Sequence, residues 1–422
     1  MDKKNVIRIS YLKLAIATII VSTLSASLAY SLKTITEHFE ELVMAQAEQR
    51  SLLFIILPSI GITLIYFLRK HLFKGRKNQG IREIYSTLQN RRDKLPTFKI
   101  PSHYFNGFLT VIFGGSTGIE VSTVVATATV GAVAQKKTTI ANSFRTELVC
   151  AGVTAGIATL FGSPIAGLFF SIEVIAKKLN KTILITCILS ALLSFVFIFF
   201  WTDEKLFHFI ITRWNNYAIP YFILLGILAG GVATYFTKTV ILTKAAFNKI
   251  DIPFIRVNAG ALLVGILLFF FPQLYGDSYH AIPSLLHEIA QQNLSLNIVL
   301  VLMAVIVLKP LAAALTLGAG GDGGVFAPGI VVGSVLGMFV AVLSNHFFDT
   351  HLIVLNFALV GAAAVLSAAI HAPFTSIFLI CSIAHGGFIL FAPVAIGSFV
   401  ARYIAKLLYP YTVYSYQSAK QE

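Results

Sequence analysis

Long apolar stretches joined by short polar connectors follow one another along almost the whole chain. The first apolar stretch covers residues 10–32, and the last, at 352–401, contains no Asp, Glu, Lys or Arg. A helix needs about 20 apolar residues to cross the hydrocarbon core of a bilayer, so the pattern predicts an all-α polytopic membrane protein. The connectors are too short to form a soluble domain, and one transmembrane domain is expected over residues 1–422.

Two of the apolar stretches are interrupted by glycine. Residues 104–135 carry a single charge, Glu120, beside a glycine-rich break, and residues 310–348, which begin after Lys309, carry only Asp322, inside a second break. Irregular backbone at membrane depth is tolerated only where it is buried or lines a cavity, and helix N-termini there offer partial positive charge and free N–H groups. Paired breaks of this kind predict a binding site near the midplane of the membrane.

The two halves of the chain repeat one pattern. Segment 118–122 corresponds to 324–328 at an offset of 206 residues, and segment 163–170 corresponds to 372–379 at an offset of 209. Two ordered matches at nearly one offset predict an internal duplication. The halves of this duplication are expected at about 50–200 and 215–416.

Charge is scarce and strongly basic. Charged residues make up 12% of the chain and the formal net charge is +14, whereas a soluble domain is roughly 25% charged. This composition excludes a soluble enzyme and argues against a nucleic-acid partner. The connectors 69–99 and 136–145 are rich in Lys and Arg, so they and the basic N-terminus are expected in the cytoplasm. The three cysteines form no Cys-x-x-Cys pair, so no metal site, disulfide or cofactor is predicted.

Several motifs, in this order, resemble the CLC family of chloride channels and chloride/proton antiporters. The clearest are the Gly-x-Phe-x-Pro pattern at 324–328, the glutamate-containing segment 118–122 and the helix start within 161–174. A weaker match is the Asn-Gln-Gly-Ile segment at 78–81, and a tyrosine, Tyr414, stands near the end of the chain as in the family.

The resemblance, which runs from about residue 53 to residue 416, implies an architecture. It implies an inverted repeat of two halves whose broken helices meet at midplane anion sites. It also implies a homodimer with one pore per subunit, surrounded by membrane lipids in a bacterial inner membrane. The family's C-terminal CBS regulatory domains are not expected, because only a few residues follow Tyr414.

The resemblance assigns roles to individual residues. Glu120 would be the gate, because in the family this carboxylate imitates an anion at the outer site and then swings away or takes a proton. Gln79 stands where the family has an anion-binding serine, and Tyr409, Tyr411 and Tyr416 compete with Tyr414 for the role of the terminal tyrosine. The implied anion-binding residues are Gln79, Gly80, Ile119, Glu120, Val325, Phe326 and Tyr414.

Three functions remain open from these residues. Glu173 and Glu120 could form a proton path, but Val174 occupies the position of the internal proton relay of antiporters, which favours a passive chloride channel. The retained Glu120 favours a chloride/proton antiporter instead. A membrane hydrolase is the third, because the segment 114–118 fits Gly-x-Ser-x-Gly. Segments 78–81 and 118–122 differ from the family's anion-binding motifs, which leaves fluoride, nitrate and bromide open as substrates besides chloride.

Overall fold

The computed structural model describes residues 3–76, 78–89, 95–137, 144–201, 205–291 and 295–416. These ranges contain sixteen α-helices and one pair of short strands. Eight of the helical segments are long and apolar enough to cross a membrane. The prediction of an all-α polytopic membrane protein is therefore confirmed.

Helix α1 (Lys3–Gln49) precedes the two halves. The helices of the first half are α2 (Leu53–His71), α3 (Ile81–Gln89), α4 (Lys99–Ile112), α5 (Glu120–Lys137), α6 (Arg145–Phe161), α7 (Pro164–Phe170) and α8 (Lys181–Trp201). The helices of the second half are α9 (Ile219–Phe247), α10 (Pro253–Phe270), α11 (Ala281–Gln291), α12 (Leu296–Ala319), α13 (Phe326–Phe348), α14 (Val354–Ile370), α15 (Pro373–Ser382) and α16 (Phe391–Leu408). Strand β1 (Phe207–Ile210), in the connector between the halves, pairs in parallel with β2 (Ala384–His385) of the second half.

The first helix is much longer than the apolar stretch that predicted it. Helix α1 has 47 residues, which corresponds to roughly 70 Å of helix. Its apolar part packs against α4, α5, α6 and α8. Its last third carries the buried Glu40, at 7% exposure, to the turn between α10 and α11, where it accepts a hydrogen bond from the Asp277 N–H.

Lys309 does not separate two spans, which corrects the boundary drawn from the sequence. Helix α12 runs through Lys309 and Pro310 without interruption, and Lys309 is fully buried. Burial of an ammonium is costly unless its hydrogen bonds are satisfied. The turn at 274–280 provides three oxygen acceptors for it, and the Ser116 hydroxyl provides the fourth.

The internal repeat is visible in matching helix ends. Helices α6 and α14 both end on a left-handed residue, Gly162 with φ 62° and His371 with φ 56°. The next helix then begins with a proline, Pro164 or Pro373, at its first position, where proline is tolerated because its missing N–H has no helical acceptor anyway. The predicted architecture of two related halves is confirmed.

Glycines let the paired helices of each half come into backbone contact. In the second half, side chains at Gly333 or Gly337 would run into the backbone of α14 at Gly361 and Phe357. In the first half, Gly131 of α5 meets the Leu148 carbonyl of α6 in the same way. Small residues allow this close approach between membrane helices, where the hydrophobic effect contributes little to association.

We expect Gly337→Ala to lower the free energy of unfolding by about 1–3 kcal/mol, the usual cost of overpacking a well-packed core. The added methyl group would collide with the Phe357 carbonyl oxygen. Thermal unfolding of the purified protein in detergent measures this. Gly329→Ala is the matched control, because it lies on the same stripe of α13 with no atom within 4 Å of the added carbon. Equal loss in both variants would contradict the packing argument.

Candidate functional site

Three helix starts converge where the two glycine breaks cross. Gly118 and Gly324 pair as an antiparallel bridge, so the first residues of α5 and α13 lie next to each other. A side chain at Gly324 would collide with Val121 of α5, and a carbon added at Gly80, before α3, would lie 3.3 Å from the Val121 side chain. The first N–H groups of each helix have no acceptor within the helix, so the junction is suited to bind an anion.

Glu120 is the carboxylate at this junction. It is the first residue of α5 and only 2% exposed. Its side chain folds back over the break, because a carbon added at Gly118 would overlap the carboxylate. The backbone N–H groups of Glu120 and Ala327 face the carboxylate. Glu120 therefore lies over the starts of both α5 and α13.

The two oxygens of this carboxylate differ in their partners. The hydroxyl of Tyr279 donates to Oε1 at 3.0 Å. Among the described residues, no donor meets Oε2 at hydrogen-bonding geometry. One oxygen is thus held by a side chain from the second half, whereas the other has no such donor among the described residues.

Tyr414 is the terminal tyrosine that reaches the junction. Its hydroxyl oxygen accepts a long hydrogen bond, 3.5 Å, from the backbone N–H of Val325. The other candidates, Tyr409, Tyr411 and Tyr416, pack against one another instead. Among the four tyrosines left open by the sequence, the structure brings Tyr414 to the start of α13.

Of the remaining candidate residues, Ile119, Phe326 and Gly80 lie at the junction, whereas the Gln79 side chain does not. Ile119 and Phe326 are buried at the starts of α5 and α13, and Phe326 packs edge-to-face on Phe170 at 5.4 Å. Gly80 lies at the junction with φ 64°. Gln79 is exposed, and its backbone N–H donates to the Glu83 carboxylate. The structure thus places the backbone of segment 78–81 at Gly80, rather than the Gln79 side chain, against the junction.

Glu173 does not contact Glu120 in this arrangement. Its carboxylate accepts hydrogen bonds from the Thr375 N–H at 2.8 Å, the Thr375 hydroxyl at 2.7 Å and the Phe374 N–H at 3.3 Å. It therefore caps the start of α15, where negative charge also interacts favourably with the helix dipole. The neighbouring Val174 offers its backbone carbonyl to the Tyr85 hydroxyl at 2.9 Å.

Lys309 is the functional-site neighbour that sequence reasoning missed. Its ammonium donates to the Ser278 hydroxyl at 2.6 Å, the Ser116 hydroxyl at 2.8 Å and the Gly276 carbonyl at 2.9 Å. The carboxylates of Asp277, Glu40 and Glu120 lie within electrostatic range. The signal was present, since a lysine between two long apolar runs is as unusual as Glu120.

The contact between Lys309 and Ser116 has a counterpart in the other half. His103 precedes Lys309 by 206 residues and Ser116 precedes Asp322 by 206. His103 Nδ1 lies 3.1 Å from Asp322 Oδ2. Lys309, from the helix before the second break, thus contacts the first break, and His103, from the helix before the first break, contacts the second. The Asn78 side-chain amide also donates to Asp322 at 2.6 Å, which connects segment 78–81 to the second break.

The Gly-x-Ser-x-Gly segment lacks the setting of a nucleophile elbow. In the described fold it follows helix α4, whereas the elbow requires a strand before the serine. The Ser116 hydroxyl donates to the Leu274 carbonyl at 2.8 Å and is fully buried. The hydrolase expectation is thus not supported by the local fold.

The broken helices and the buried carboxylate between them are features of a membrane transport protein. The model of the voltage gated chloride channel family matches residues 60–406. The chain therefore belongs to that family, and transmembrane anion transport is its general function.

Two relatives illustrate the range within the family. The chain is 26% identical over 365 residues to the H(+)/Cl(-) exchange transporter ClcA of Vibrio campbellii, covering 83% of this chain and 75% of that protein. It is 25% identical over 319 residues to the voltage-gated ClC-type chloride channel ClcB of Escherichia coli, covering 74% of each.

Solved structures share the fold. A CLC-type fluoride/proton antiporter superposes with a TM-score of 0.78 at 24% identity, covering 95% of this chain and 96% of that one. A slow cyanobacterial Cl-/H+ antiporter superposes with a TM-score of 0.82 at 19% identity, covering 97% and 98%. At these identities the likeness concerns the fold.

We expect Glu173→Gln to lower the free energy of unfolding by roughly 1–2 kcal/mol, because an amide caps the start of α15 more weakly than a carboxylate does. Chemical or thermal unfolding in detergent measures the loss. If Glu173 also carries protons, the same variant would reduce proton movement in reconstituted vesicles. Unchanged stability would contradict the capping role.

Proposed function

We propose that the chain is a proton-coupled anion antiporter that exchanges chloride, or a similar monovalent anion, for protons through a pore in each subunit. Glu120 is the gate in this proposal, and the anion is bound by the backbone N–H groups at the starts of α5 and α13. The Tyr414 hydroxyl, turned from the Val325 N–H to the anion, contributes a further donor.

One observation carries this proposal. The Glu120 carboxylate lies buried over two helix starts, which is where a monovalent anion would gain most from backbone N–H groups and helix dipoles. A carboxylate and a chloride ion therefore compete for one place. Protonation of Glu120 removes its charge and releases it from those donors, so proton uptake and anion entry become linked.

The relatives favour exchange over passive conduction. ClcA of Vibrio campbellii is named an H(+)/Cl(-) exchange transporter. ClcB of Escherichia coli, by contrast, is named a chloride channel, which supports the passive alternative suggested by Val174. Two solved structures with the same fold are also named antiporters, one for fluoride and one for chloride.

The assembly and orientation complete the proposal. The chain forms one transmembrane domain, pairs with a second copy as a homodimer, and lies in a bacterial inner membrane with its N-terminus in the cytoplasm. The basic end of α2, at Arg69, Lys70 and His71, supports this orientation through the positive-inside rule. Mass measurement of the detergent-solubilised protein tests the dimer.

The purified protein in proteoliposomes with a chloride gradient tests coupling. With the membrane potential clamped, we expect outward chloride movement to drive protons inward against their own gradient, seen as a rise in external pH. Replacing chloride by fluoride, nitrate or bromide in parallel gives the anion preference. Chloride flux with no proton movement would identify a passive channel instead.

Glu120→Gln tests the gate in the same vesicles. An amide imitates the protonated carboxyl group, so we expect anion flux to persist while proton movement and the pH dependence of flux are lost. Glu147→Gln is the matched control, because Glu147 is another buried acid, 6% exposed, that accepts a hydroxyl hydrogen bond from Thr182. Unaltered pH dependence in Glu120→Gln would sink the gate assignment.

A further inference from the structure

A turn from the second half of the chain reaches the gate. This turn, residues 274–280 between α10 and α11, presents the Tyr279 hydroxyl to Glu120 Oε1 at 3.0 Å. The ring of Tyr279 packs edge-on against the buried Phe207 of β1, with centroids 6.1 Å apart. The hydroxyl is therefore aimed at the gate by a ring that is itself held in place.

Lys309 fixes the turn from inside the bundle. Three of its hydrogen bonds end on the turn, at the Leu274 carbonyl, the Gly276 carbonyl and the Ser278 hydroxyl. The fourth ends on Ser116, in the break that leads to Glu120. One buried ammonium thus joins the turn to the break and fixes the position of the turn relative to the break.

Helix α1 fixes the turn from the other side. Glu40 accepts a hydrogen bond from the Asp277 N–H at 3.2 Å, and Asp277 in turn accepts one from the Tyr279 N–H at 2.9 Å. A side chain at Gly276 would collide with the Glu40 carboxylate. Glu40 lies outside the family match at 60–406, so this support is supplied by a part of the chain that the family model does not cover.

We infer that Tyr279 is a latch on Glu120, held by Lys309 and Glu40, which stabilises the ionised, closed gate and so sets the pH at which the gate releases. This inference rests on the proposed function, because it takes Glu120 to be the gate. Tyr279 binds the gating carboxylate directly, whereas Asp277, Glu40 and Lys309 act through the position and charge of the turn.

The charges around the latch work in opposite directions. The hydroxyl of Tyr279 donates to an ionised carboxylate and stabilises it, whereas the nearby charge of Asp277 disfavours that ionised form. The other titratable groups facing this region from α1, the turn, α12 and the C-terminal segment are Lys33, Glu37, Glu40, His280, Lys309 and Tyr414.

Tyr279→Phe removes the latch and keeps the ring. Without the hydroxyl donor the ionised Glu120 is less stable, so protonation and opening occur at higher pH. A hydrogen bond to a charged group has a net value that corresponds to about one pH unit or slightly more. We expect the pH at half-maximal anion flux from proteoliposomes to rise by about one unit. Tyr217→Phe, which removes an exposed tyrosine hydroxyl bonded to the His351 carbonyl, should leave it unchanged.

Asp277→Asn separates the latch from simple loosening of the turn. The amide oxygen of asparagine still accepts the Tyr279 N–H, but a negative charge near Glu120 is lost. We therefore expect the half-maximal pH to fall, which is opposite in sign to the effect of Tyr279→Phe. A general loosening of the turn would shift both variants in the same direction, and that result would overturn the inference.

The outcomes also distinguish the latch from the gate. If Glu120→Gln abolishes the pH dependence but Tyr279→Phe leaves the half-maximal pH unchanged, the latch is wrong and the gate stands. If Glu120→Gln leaves the pH dependence intact, the proposed function itself fails. Size-exclusion chromatography of each variant before reconstitution checks that the protein remains folded, and Tyr279→Phe keeps the ring that packs against Phe207.

Discussion

The backbone bridge between Gly118 and Gly324 is the contact on which the site depends. At this bridge a side chain on Gly324 would collide with Val121, and one on Gly118 would overlap the Glu120 carboxylate. The crossing is stabilised by an exchange between the halves, since the Asp322 N–H donates to Thr110 and the Ser116 N–H donates to Thr316. Buried N–H groups without acceptors would be costly. The two hydrogen bonds that join the halves also give acceptors to N–H groups in the breaks.

Each half also buries a basic side chain in the glycine break of the other half. The first half receives Lys309 at Ser116, and the second half receives His103 at Asp322. The two contacts are related by the repeat, but their chemistry differs, because one basic group meets a hydroxyl and the other a carboxylate. Burial of such groups is tolerated where hydrogen bonds replace those lost from water. The difference leaves the Lys309 side with an ammonium that acts on carboxylates at longer range, Glu120 among them.

The gate and the support around it therefore come from distant parts of the chain. Glu120 begins α5, Tyr279 lies on the turn after α10, and Glu40 lies on α1. Sequence reasoning found Glu120 because one acid in a long apolar stretch is conspicuous. It passed over Lys309 because the lysine was treated as the boundary of two spans, and it gave Tyr279 no role because a tyrosine beside an apolar stretch is ordinary.

The sequence by itself determined the membrane class, the two glycine breaks, the repeat at an offset of 206 residues and the buried acid, since these depend on residue type and spacing. It also left four terminal tyrosines open and placed Gln79 at the anion site by resemblance. Only the tertiary structure brought Tyr414 to Val325, left Gln79 exposed and turned Glu173 onto α15. These outcomes depend on contacts between residues that are up to about 200 positions apart, and the local pattern of apolar and polar residues does not encode which distant partner a side chain will meet.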